Sequence, residues 1–210
     1  MRLGVLISGG GTNLQAILDA CADGRLSAQV AVVISDRAGA YGLERARLAG
    51  VPGVVLSQKQ FADRDALSAA VADTLLSHGV ELVVLAGYLK IFTEPMLAHY
   101  RGRMINTHPA LLPAFGGRGM YGLAVHQAVL DYGCRVSGCS VHFVDDTVDG
   151  GPVLEQVAVP VHEGDTAETL QGRILPHEHA ALVRVIGWLA EGRVAVDGRR
   201  VRVAGREEAE

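Results

Sequence analysis

Short apolar runs alternate along the chain with amphipathic segments, and glycine marks most of the boundaries between them. Residues 2–7 form the first apolar run; the turn Ser8-Gly9-Gly10-Gly11-Thr12-Asn13 follows, and then Leu14, Ile17, Leu18 and Cys21 recur at helical spacing. This reads as strand, glycine turn and helix. The unit repeats as a strand over 29–35, a helix over 43–48 closed by Gly50 and Pro52, and a strand over 54–56. Asp63 is placed to cap a helix reaching about residue 77, with Leu67, Val71, Leu75 and Leu76 as its inner face. Residues 80–86 are the most strand-like run; Gly87 ends it, and Tyr88 to Phe92 make an apolar connection. Four strands alternating with helices predict an α/β fold, a mostly parallel twisted sheet flanked by helices.

The second half begins with an apolar, β-branched segment, Met104-Ile105-Asn106-Thr107-His108, cut off by Pro109. A glycine-rich loop over 116–122, a helix over 123–132 and a strand over 135–144 follow. Alternation in that strand sets Val141 and Phe143 on one face and His142 on the other, toward the site. An acidic turn over 145–152, a strand over 153–161 and a long helix over 166–189, interrupted or kinked at Pro176, lead to an antiparallel hairpin over 194–203. One domain over 1–204 is expected, with 205–210 a charged, disordered tail.

Composition narrows the class. The 210 residues are 49% hydrophobic, enough for one core, and carry a net charge of -4 without a basic stripe. Nucleic acid is therefore not the expected partner. Three cysteines at uneven spacing suit a reducing compartment, and no apolar run reaches membrane-spanning length, so a soluble cytoplasmic protein is expected.

Candidate chemistry gathers at one edge. In a parallel sheet ligands sit outside the carboxyl ends of the strands, where Gly9 to Asn13, Gly87 and Asn106 to Pro109 would meet. The glycine turn offers free N–H groups at a helix start, with Thr12 or Asn13 as cap. Leu14 breaks the dinucleotide fingerprint and no P-loop lysine is present, so the turn suits a single phosphate or is a plain tight turn. Asp36 reads as a cap rather than a ribose ligand. Asn106 and His108 share one strand face, a carboxamide donor beside a group that titrates near neutrality. They could hold an oxyanion and move a proton, or be a turn cap and an ordinary buried histidine. Asp149, against Gly-Gly-Pro, is the carboxylate that could orient His108. Arg64, in a first helical turn, serves an anionic ligand or is simply solvated. Glu178 could grip an amine; His177 and His179 do not share a helix face, and no metal site is expected.

These motifs, in this order, resemble the folate-dependent formyltransferases, in particular the phosphoribosylglycinamide formyltransferases of purine synthesis. The residues that carry the likeness are Leu6-Ile7-Ser8-Gly9-x-Gly11-Thr12-Asn13-Leu14-Gln15, Gly42 to Ala46, Val83 to Tyr88, Asn106-x-His108-Pro109-x-Leu111-Leu112-Pro113, Ser140 to Val144 and Asp149 to Pro152. The resemblance implies a Rossmann-like formyltransferase fold and formyl transfer from 10-formyltetrahydrofolate, as co-substrate, to the glycyl amine of phosphoribosylglycinamide. It implies that Gly11, Thr12 and Asn13 hold the substrate phosphate, with Gly87 and Glu178 on the ribonucleotide side. Folate contacts would come from Arg64, Leu89, Lys90, Ile91, Phe92 and Asn106 and from Asp145, Asp146, Thr147, Val148 and Asp149. Asn106, His108 and Asp149 would be catalytic, His142 supporting, and Leu112-Pro113 cis.

Lys90 stands where many members have arginine, and the loop over 116–122 resembles that of methionyl-tRNA formyltransferases. Sugar-amine or methionyl-tRNA transfer, formyltetrahydrofolate hydrolysis, a non-catalytic nucleotide or folate module, and a nicotinamide dehydrogenase disfavoured by Leu14 stay open as alternatives, as does a homodimer.

Overall fold

A computed structural model describes residues 1–205. Apart from Gly205, the predicted tail over 205–210 lies outside the described residues.

Strand β1 (Arg2–Ile7) leads into α1 (Thr12–Ala22), β2 (Gln29–Ser35), α2 (Tyr41–Leu48), β3 (Gly53–Val55), α3 (Arg64–Ser77), β4 (Leu82–Leu85), α4 (Glu94–Tyr100) and β5 (Met104–His108). Then come α5 (Leu123–Asp131), β6 (Val136–Phe143), β7 (Val153–Pro160), α6 (Ala167–Ala190) and a separate hairpin of β8 (Val194–Asp197) and β9 (Arg200–Val203). The main sheet has strand order β3-β2-β1-β4-β5-β6-β7. Its first five strands are parallel, and β6 and β7 are antiparallel additions. The sheet order reverses direction at β1, and the adjoining crevice is where such folds bind ligands.

Each face of the sheet has its own core, as strands buried on both sides require. On one side Leu3, Val5, Ile7, Val84, Ile105, Val141 and Phe143 pack with residues of α1, α5 and α6. On the other, Leu6, Val32, Ile34, Val83, Leu85 and Met104 pack with residues of α3 and α4. No helix among the described residues is long and apolar enough to cross a membrane.

Several expectations are corrected. Leu76 is 44% exposed; the inner face of α3 is Leu67, Ser68, Val71, Ala72 and Leu75, because Leu76 lies about 100° further round the helix. Helix α4 escaped notice because it is seven residues long and begins beside Pro95. Yet it buries Met96, Leu97 and Tyr100. Helix α6 is continuous through Pro176. Proline removes one N–H and crowds the carbonyl four residues back, which here belongs to the exposed Gly172. The cap of α1 is Gly11 itself, at φ 70°, not Thr12 or Asn13. A Cβ there would come within 2.8 Å of Gly42 Cα, so glycine is what lets α2 approach the turn.

Gly151 is equally constrained at the start of β7. A Cβ on it would run into the Phe143 carbonyl oxygen, and its second contact, the Phe143 carbonyl carbon, would lie at 2.8 Å. Gly151→Ala is expected to destabilise by roughly 1–3 kcal/mol, a fall in Tm of about 3–10 °C. Thermal denaturation checks this; an unchanged Tm would show that the turn relaxes freely.

Candidate active site

A cleft of ≈ 550 Å³ opens at the carboxyl ends of β1, β4 and β5. Its walls come from Ser8, Gly9 and Asn13, from Gly87 to Phe92, from Asn106 to Pro109, from the loop 117–122 and from 144–149. Five expected contacts of the acidic turn and four of the apolar connection therefore converge on one cavity. Gly11 and Thr12 stand at its edge rather than in its lining, at the start of α1.

Strand pairing explains the polar centre. Asn106 lies directly opposite His142, and His108 opposite Ser140, so all four share a face. His142 Nδ1 bonds the Phe143 carbonyl at 2.8 Å and therefore carries the hydrogen, which leaves Nε2 to accept from Asn106 Nδ2 at 3.2 Å. Burial lowers the pKa of His142, which keeps the ring in that neutral form. The Asn106 amide is thus oriented, with its second hydrogen directed at Asp149 Oδ1, 3.4 Å from Nδ2. A contact that long is easily given up to a better acceptor.

Asp149 sits at φ 53°, a left-handed conformation that aspartate tolerates better than most residues. Its Oδ2 accepts from the Gly117 N–H at 2.9 Å and faces His108 Nδ1 at 3.7 Å. His108 Nε2 bonds the Phe115 carbonyl at 2.8 Å, so Nε2 carries a hydrogen and the lone pair is left on Nδ1, beside Asp149. The strand end beyond is pinned: Ser140 Oγ accepts from the Leu112 N–H and donates to Ala110, and Gln156 donates to the Leu112 carbonyl. The Leu112-Pro113 peptide is cis.

On the opposite face of β5, Thr107 points at α6. Its hydroxyl donates to Glu178 Oε1 at 3.0 Å, and Asn13 Nδ2 donates to the same oxygen at 2.8 Å. Sequence reasoning missed Thr107, although period-2 alternation turns it toward the helix. It also missed Arg45, whose Nε donates to the Gly10 carbonyl at 2.8 Å and brings a cation to the glycine turn. His126, buried in α5 and lining the cleft, was missed too.

Two residues sit differently from their expected surroundings. Arg64 reaches the Ile91 carbonyl at 3.1 Å and braces the apolar connection, and it is not in the cleft lining. Asp36 is buried and pairs with Lys90 Nζ at 3.6 Å, which ties the end of β2 to the segment after β4.

Three histidines, His126, His142 and His179, have pKa values lowered chiefly by burial from the ordinary 6.5. The unfolded chain takes up protons at these rings near pH 6.5 while the folded chain resists, so stability falls as pH drops below about 6.5. The lowered carboxylates Asp23, Glu44, Asp165 and Glu168 act only within and below the ordinary carboxylate range. Tm is therefore expected to fall between pH 7.5 and 5.5. His179→Leu, outside the cleft, should flatten the slope; an unaltered slope would remove His179 from the cause.

Comparisons with known proteins place the chain in a family. A family model described as formyl transferase matches residues 1–186. The chain is 40% identical to phosphoribosylglycinamide formyltransferase of Escherichia coli (strain K12) over 98% of each chain. It is 39% identical to the Haemophilus influenzae enzyme of the same name, covering 98% of this chain and 94% of that one. The crystal structure of glycinamide ribonucleotide transformylase 1 from Symbiobacterium toebii superposes with a TM-score of 0.93 at 52% identity, covering 97% of this chain and 93% of that one.

Proposed function

Because the chain belongs to the formyl transferase family, we propose that it transfers a formyl group from 10-formyltetrahydrofolate to the glycyl amine of phosphoribosylglycinamide. The observation that carries this reading is the oriented Asn106 amide beside the His108–Asp149 pair, in a cleft with a helix N-terminus at one end and an apolar segment at the other.

The polar end suits the ribonucleotide. The start of α1, over Gly11, Thr12 and Asn13, supplies N–H groups and a positive dipole end for a phosphate, and Glu178 accepts from the amine. The apolar side chains Leu89, Ile91, Phe92 and Val144 suit a flat folate ring beside the acidic turn over 145–149, and Lys90, paired with Asp36, lines the same wall.

Attack of the amine on the formyl carbon puts negative charge on the formyl oxygen. Asn106 Nδ2 is the donor that stabilises it, exchanging its long Asp149 contact for the stronger acceptor. His108 accepts the amine's proton at Nδ1, and Asp149 stabilises the imidazolium beside it. The proton then passes to the departing folate nitrogen, so formyl carbon and proton are both accounted for. Gly117, whose N–H donates to Asp149, couples the glycine-rich loop over 117–122 to this group.

The test is consumption of 10-formyltetrahydrofolate followed by absorbance, with and without phosphoribosylglycinamide. Dependence on the ribonucleotide is expected. Consumption without it would indicate a hydrolase, and no consumption in either arm would refute the reading.

A further inference from the structure

Glu178 projects from α6 into the cleft, and it is the partner assigned above to the substrate amine. Its two oxygens are treated unequally. Thr107 Oγ1 and Asn13 Nδ2 both donate to Oε1, at 3.0 and 2.8 Å, and Oε2 has no hydrogen-bond donor among the described residues. The side chain is only 8% exposed, and Thr107 and Asn13 are comparably buried, at 6% and 8%. A buried carboxylate swings among rotamers unless donors fix it, and two donors on one oxygen fix both its position and the plane of the group.

We propose that Thr107 is a positioning residue that, together with Asn13, locks Glu178 so that Oε2 is presented to the primary amine of the acceptor. An N–H of the amine donates to Oε2, and the nitrogen lone pair is left to face the formyl carbon. Strand β5 then serves both reactants: Asn106 and His108 on one face act at the formyl group, and Thr107 on the other aims the nucleophile's holder. The inference rests on the assignment of Glu178 to the acceptor amine.

Valine and serine separate the hydroxyl from the methyl group. Thr107→Val keeps shape and loses the donor; Thr107→Ser keeps the donor and loses the methyl. If Thr107 positions Glu178, Thr107→Val lowers kcat/KM for the ribonucleotide by roughly tenfold, the scale of one hydrogen bond to a charged group. KM for the folate stays unchanged, and Thr107→Ser stays within about twofold of the parent. A purely packing role reverses the order, with serine worse than valine, and overturns the proposal. So does a Thr107→Val enzyme within about twofold of the parent. Glu178→Gln, measured alongside, tells the two levels apart. If it weakens ribonucleotide use while Thr107→Val does not, only the role of Thr107 fails. If Glu178→Gln leaves ribonucleotide kinetics intact, the amine-holding assignment fails, and the inference with it. Thermal melts of all three variants confirm that folded enzymes are being compared.

Discussion

Asn106→Ala is expected to lower kcat for formyl transfer by about 10²–10³-fold, the usual consequence of losing one donor to a developing oxyanion, about 3–4 kcal/mol. The alanine removes both hydrogens of an amide that is held by His142 Nε2 at 3.2 Å and lies 3.4 Å from Asp149. Ground-state affinity for either substrate should change little, because the amide's strong contact forms only as charge develops on the formyl oxygen. Steady-state kinetics with both substrates varied checks this. A kcat within tenfold of the parent would place oxyanion stabilisation elsewhere in the cleft.

Asp149→Asn is expected to have an effect of similar size, roughly 10²–10³-fold in kcat, through a different cause. The substitution preserves the shape, asparagine tolerates φ 53°, and its carbonyl oxygen can still accept from the Gly117 N–H at the Oδ2 position. What disappears is the negative charge beside His108 Nδ1 at 3.7 Å, and with it the stabilisation of the imidazolium. The melting temperature should therefore stay within about 2 °C of the parent. A large fall in Tm together with the lost rate would show that Asp149 holds the loop rather than the charge.

Those two side chains were legible in the sequence for simple reasons. Two-residue periodicity put Asn106 and His108 on one strand face, and the run of strands and helices placed that strand end beside the glycine turn. Asp149 stood out because it stands directly before Gly150-Gly151-Pro152, a turn sequence that ends the acidic stretch. Contacts that no motif, turn or period marks were not legible. Thr107 meets Glu178 across 71 positions, and Arg64 meets the Ile91 carbonyl across 27, so nothing local marks either contact. Helix α6 runs on through Pro176, with eight of its residues buried against the rest of the fold, and tertiary packing of that kind overrides a local propensity for breaking helices. Helix α4 and the outward turn of Leu76 depended on which surface each segment packs against, and that surface is assembled from α3, β4 and β5 together. Local pattern set the strands and the strand-end chemistry, and tertiary packing set the orientation of the groups around them.

The most direct measurement is the fate of a ¹³C-labelled formyl group in a single turnover, read by mass spectrometry of the products. Label on the glycyl nitrogen of the ribonucleotide, with unlabelled tetrahydrofolate formed in equal amount, is the expected result. Label released as free formate while the ribonucleotide stays unmodified would contradict formyl transfer to that amine.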